Sequence, residues 1–198
     1  MALIDCLNEL SLDLYFDCNY LPIKGFNYDG VLINRADIDF DTITYKANSH
    51  NHTLTNLPVK SGKRGYLVQQ PKNAPYNGTQ ITMEEGAFMN TFTKELHLIV
   101  FGEDEVSVSY ISEQFANGEF VAVLRRREPN GKIAYVIYGL ENGLRATEIT
   151  QDFYSDDTMG NPAVVLTETG ANAYEKFLDA GSEAQTETLL ETLIQEPE

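Results

Sequence analysis

Between Leu144 and Gly170 the chain reads Leu-Arg-Ala-Thr-Glu-Ile-Thr-Gln-Asp-Phe-Tyr, then Ser155-Asp-Asp-Thr-Met-Gly-Asn-Pro162, then Ala163-Val-Val-Leu-Thr-Glu-Thr-Gly170. β-branched and aromatic residues fill the two arms, while acids, glycine, asparagine and proline fill the middle. This is the composition of a strand, an acidic turn and a second short strand. No reactive side chain is held at a focus along it, so the stretch reads as part of a building block before it reads as part of an enzyme.

The same β character runs through the chain. Val31-Leu32-Ile33, Ile38 to Tyr45, Tyr66 to Gln70 and Ile81 with Met83 read as short strands separated by turns rich in Gly, Asn and Pro. Ser11 to Cys18 alternates Leu12, Leu14 and Phe16 against polar neighbours, the period of a strand with one buried face. Phe92 to Phe101 is apolar on both phases, with Leu96, Leu98 and Val100 on one and His97, Ile99 and Phe101 on the other, and predicts a strand covered on both faces. Phe120 to Arg127 and Lys132 to Tyr138 flank Pro129-Asn130-Gly131, which predicts a tight hairpin.

Two helices are expected. Glu103-Asp104-Glu105 precedes Val108, Ile111 and Phe115 at spacings of three and four, with Gly118 beyond, so acids lie at the positive end and glycine at the close. Ala171, Tyr174, Phe177 and Leu178 give a second apolar stripe ending at Gly181. The reading is therefore mainly β, an α+β chain built as a β-sandwich or partly closed barrel with one or two flanking helices. Residues 1–181 form one domain, with an N-terminal arm whose Leu3, Ile4, Leu7 and Leu10 seek a partner. A long exposed loop occupies residues 46–64, and an acidic C-terminal tail occupies 182–198. In that tail Leu189, Leu190, Leu193 and Ile194 line one side of a helix that either docks on a neighbour or frays.

Composition narrows the function. At 198 residues the chain is long enough to bury roughly 70% of its unfolded surface in one core. Its formal net charge of -16 opposes nucleic-acid binding, which is carried by cations that displace phosphate counterions. No stretch approaches the roughly 20 apolar residues of a membrane span, and Met1-Ala-Leu-Ile-Asp-Cys lacks the basic start of a signal peptide, so synthesis in a cytosol is expected. Cys6 and Cys18 then read as buried thiols and not a bridge.

Residues able to do chemistry are few and poorly placed. His50 and His52 have Asn and Thr neighbours, poor company for a metal ligand, and His97 lies inside an apolar strand. No Gly-x-Ser-x-Gly turn, Walker A loop or Gly-x-Gly-x-x-Gly occurs, and Cys18 has no cationic neighbour to activate it. Glu148, Asp152, Asp156 and Asp157 form the densest carboxylate group, but consecutive acids between two strands are the composition of a solvated turn. Catalytic, cofactor and metal sites are accordingly expected to be absent. Arg125-Arg126-Arg127 is the one basic cluster. On a strand Arg125 and Arg127 share a face, to pair with carboxylates either within the subunit or on the next copy.

The order of elements, with Leu144-Arg-Ala-Thr-Glu-Ile-Thr-Gln-Asp-Phe-Tyr followed by Ala163-Val-Val-Leu-Thr, and with Gly30-Val-Leu-Ile-Asn-Arg-Ala-Asp37 earlier, resembles the major tail tube proteins of long-tailed bacteriophages. The resemblance covers most of the chain in outline, and the acidic tail is not an obligatory part of it. It implies a structural virion protein, made in the bacterial host, whose copies form rings, expected to be hexameric, stacked into a hollow tail tube. DNA passes through such a tube without sequence-specific binding. Tape-measure, tail-terminator and baseplate proteins are the further partners it implies. Lys46, Lys60, Lys63 and Arg64 of the long loop, with Arg125, Arg127, Leu189 and Leu193, are the candidate assembly contacts. Two other readings stand beside it: another phage assembly part, such as a terminator or adaptor, and a carboxylate-dependent hydrolase using Glu148, Asp152 and Asp157.

Overall fold

The computed structural model describes residues 23–127 and 135–196. The expectations for the first 22 residues, including both cysteines, and for the Pro129-Asn130-Gly131 turn lie outside them. Among the described residues the fold is mainly β with two α-helices, and its two sheets do not close into a barrel.

The larger sheet contains β1 (Phe26–Asn34), β2 (Thr53–Leu54), β3 (Tyr66–Gln69), β6 (Phe120–Arg126), β7 (Tyr135–Tyr138) and β10 (Lys176–Leu178), in the order β2-β10-β7-β6-β1-β3. The smaller contains β4 (Gln80–Glu84), β5 (Thr91–Ile99), β8 (Arg145–Thr150) and β9 (Ala163–Ala171), in the order β4-β5-β9-β8. β6 and β7 pair antiparallel with Ala122 opposite Tyr138 and Arg125 opposite Tyr135, the pairing their hairpin sequence calls for.

The central strands β1, β6 and β7 of the larger sheet are buried on both faces, which explains their unbroken apolar runs, while its outer strand β3 is largely exposed. Leu32, Ala122, Leu124 and Val136 meet Leu96, Leu98, Val164 and Leu166 of the smaller sheet in one core. The alternate residues Val31, Ile33, Val121, Val123 and Ile137 point the other way. They are covered by Ile38, Leu54 and Leu57 and by helix α2 (Glu183–Ile194) through Leu193. Each such buried aliphatic side chain contributes roughly 1.5–3 kcal/mol relative to exposure. The smaller sheet has one deeply buried face only. His97 and Ile99 are half-buried, so the double cover expected of Phe92 to Phe101 belongs instead to β1, β6 and β7.

Three local expectations are corrected. Residues 171–178 are not a helix: β9 runs through Ala171, and β10 inserts between β2 and β7, pairing parallel with the first and antiparallel with the second. Two waiting strand edges outweigh the helical spacing, and Tyr174, counted in that stripe, stays 55% exposed. Ile38 to Tyr45 is not a strand but contains one short 3₁₀ turn, Phe40–Thr42, just after another at Arg35–Asp37, and is held by isolated bridges Ile38–Val59 and Tyr45–Leu54. Residues 46–64 are exposed only in part, because Thr53 and Leu54 form the buried strand β2 of the larger sheet and Leu57 is buried against that sheet.

Helix α1 (Glu105–Asn117) forms where expected, with Asp104 accepting from the Ser107 N–H at 2.7 Å as its N-cap. Gly118 closes it with φ of -91°, so no left-handed turn is involved. Glycine is needed there for space: a Cβ would collide with the Phe120 ring, which packs on Phe115 at 5.2 Å between centroids. Helix α2 begins at Ser182, whose hydroxyl accepts from Gln185 N–H.

Candidate functional site

The residues with the strongest claim to chemistry are the acids of β8 and of the turn that follows it. Glu148, Asp152, Asp156 and Asp157 are all exposed. Asp152 accepts from the Tyr154 N–H at 3.0 Å, which makes it a turn-former. Two carboxylates acting on one substrate are held facing each other across a cleft, and these sit on an exposed strand and the open turn after it. His52 lies beside the Glu175 carbonyl at 3.2 Å, and among the described residues no group of three or more potential metal ligands converges.

A buried ion pair lies elsewhere. Lys94 on β5 and Glu168 on β9 face each other across the sheet, 1% and 0% exposed, with Nζ 3.0 Å from Oε2. The Gly139 N–H donates to Oε2 at 2.9 Å, and those of Glu141 and Asn142 donate to Oε1 at 3.0 and 2.9 Å. Burial pushes the Glu168 carboxyl up, but the Lys94 ammonium and the N–H groups of Asn142 and Gly139 outweigh it and hold it below its ordinary value of 4.5. Four donors satisfy the carboxylate, leaving no lone pair directed at a cavity. The pair clasps the Gly139–Gly143 turn that carries the chain from the larger sheet to the smaller, a turn entered and left by glycines at φ of 82° and 80°. Its role is architectural.

The candidate assembly residues are engaged within the chain. Lys46 reaches Asp179 at 2.7 Å and holds that carboxyl below its usual range. Lys60 donates to the Ala36 carbonyl, Lys63 pairs with Asp37 at 3.2 Å and Arg64 with Glu196 at 3.3 Å. Arg125 binds Glu183 and Glu187 of α2, and Arg127 donates to the Lys72 carbonyl. Leu193 is buried and Leu189 half-buried against the larger sheet, so the acidic tail's apolar side docks on its own chain. Arg125, Leu189 and Leu193 thus come together at α2, Lys60 and Lys63 gather at the Ala36–Asp37 turn, and Lys46 and Arg64 are engaged elsewhere.

Among the described residues, what remains open is the set of sheet borders. β2 is buried, and β8 is flanked by α1. β3 and β4 are largely exposed outer strands. Edge strands are ordinarily protected by charge; β4 carries Glu84 and β8 carries Arg145 and Glu148, whereas Tyr66-Leu-Val-Gln69 of β3 carries none. Tyr66 and Leu67 are 48% and 51% exposed. Beside β3 lies a groove of about 720 Å³, bounded by the Leu98–Phe101 end of β5 and by Ile111, Gln114 and Phe115 of α1. None of its lining residues is charged. At its end the Gln70 side-chain amide bonds both the N–H and the carbonyl of Ile99, at 2.8 and 2.9 Å, standing where a neighbouring strand's backbone would. Sequence patterning found β3 but not this groove, which is made by elements far apart in the chain.

No protein-family model, curated protein or solved structure matches this chain.

Proposed function

We propose that this chain is a structural subunit whose copies assemble into rings, stacked as the hollow tail tube of a long-tailed bacteriophage, through which DNA passes. The observation that carries the reading is the uncharged, exposed border at β3 with an apolar groove beside it, on a chain whose surface is otherwise strongly acidic. A free strand edge offers unpaired backbone groups to another chain, and identical subunits joined through unlike surfaces form closed rings or open stacks. The sequence resemblance supplies the phage setting, and the net charge of -16 suits a wall along which a polyanion slides without adhering.

Sedimentation and electron microscopy of the purified protein, across concentration and salt, test the proposal. Rings or tubes are the expected result. Persistent monomers throughout overturn it, and closed rings that never extend favour a terminator or adaptor in its place.

A further inference from the structure

The β4–β5 turn presents an apolar knob. Phe88 is fully exposed, Met89 and Met83 are 59% and 61% exposed, and the residues from Gly86 to Asn90 carry no charge. Turns ordinarily carry polar residues, and in this acidic chain the acids Glu84 and Glu85 stop just short of the tip.

The knob precedes Thr91, the first residue of β5, while the uncharged groove beside β3 is built around Leu98 to Phe101 at the far end of the same strand. The 9 residues of β5 separate the two by ~30 Å of extended chain. Knob and groove therefore lie at opposite ends of one strand, a placement that allows a unit to repeat by translation.

We infer that Phe88 and Met89 of one copy seat in the groove between β3 and α1 of the next, so that this contact joins successive layers of the stack. This rests on the assembly reading above and names its contact. Burying two large apolar side chains against Leu98, Phe101 and Ile111 supplies the attraction. The absence of charge on either surface leaves no buried carboxylate unpaired, which matters between copies that repel each other elsewhere.

Phe88 replaced by the photo-crosslinker p-benzoylphenylalanine provides the test. Irradiation of the assembled protein is expected to give covalent dimers whose adducts map to Tyr66–Gln69 or to Ile111–Phe115 of the second chain. Adducts that fall elsewhere, or no dimer, overturn the contact. Phe88→Asp, at a position whose side chain touches no core, is expected to raise the concentration needed for assembly at least tenfold with an unchanged circular dichroism spectrum. Assembly equal to wild type overturns the contact and leaves the assembly reading standing, whereas a wild-type protein that never associates removes both.

Discussion

Lys94 and Glu168 carry opposite charges into the interior on adjacent strands. Each continues the inward phase of an apolar run, Lys94 before Leu96 and Leu98, Glu168 after Val164 and Leu166. Glu168→Leu is expected to cost about 3–5 kcal/mol in urea unfolding, because it leaves a buried ammonium and three N–H groups without an acceptor. Adding Lys94→Met removes the stranded charge but not the orphaned N–H groups, so the double variant regains only part of the loss. The pH dependence follows from the depressed carboxyl. Its contribution is complete above the unfolded value near 4.5 and is lost as pH falls through the lower folded value, so wild type and Glu168→Leu converge in stability below pH 4.5. Neither residue stood out in the sequence reading, although each places a charge on the inward phase of an apolar run and the two charges are opposite.

Among elements, α2 shows how two kinds of contact differ in weight. Leu193 is 7% exposed under the helix, and Leu193→Ala is expected to lower stability by about 2–5 kcal/mol in the same unfolding assay. Arg125 pairs with Glu183 and Glu187 from the outside, about a third exposed, and Arg125→Ala is expected to cost at most about 1 kcal/mol. Strands β1, β6 and β7 were readable because burial on both faces writes a continuous apolar run, whereas β2 lay inside a segment read as loop and β10 inside one read as helix. Helix α1 was readable because Asp104, its apolar spacing and Gly118 all agreed. Residues 171–178 misled because Ala171, Tyr174 and Phe177 satisfy a helical period, while the buried set Ala171, Ala173 and Glu175 follows a strand's. Only the vacancy between β2 and β7 decides between them, and that vacancy is a property of the tertiary fold. The same holds for the groove beside β3. Its walls come from separated segments, and no window of sequence contains them together.

For the whole molecule, the charge of -16 makes approaching copies repel, and the proposed assembly has to overcome it. Added salt shortens the range of that repulsion, to about 8 Å at physiological strength and about 3 Å at 1 M, without weakening apolar contact. Assembly followed by sedimentation is therefore expected to strengthen with ionic strength; weakening would mean that ion pairs between copies hold it together. Asp152→Ala with Asp157→Ala is expected to leave both folding and assembly unchanged, since both residues lie on an exposed turn. The opposed placement of the Phe88 knob and the β3 groove also gives any column built through them a direction. One terminus would show only protrusions and the other only sockets, so whatever starts growth cannot have the same surface as whatever stops it, and length would be governed by two dissimilar caps.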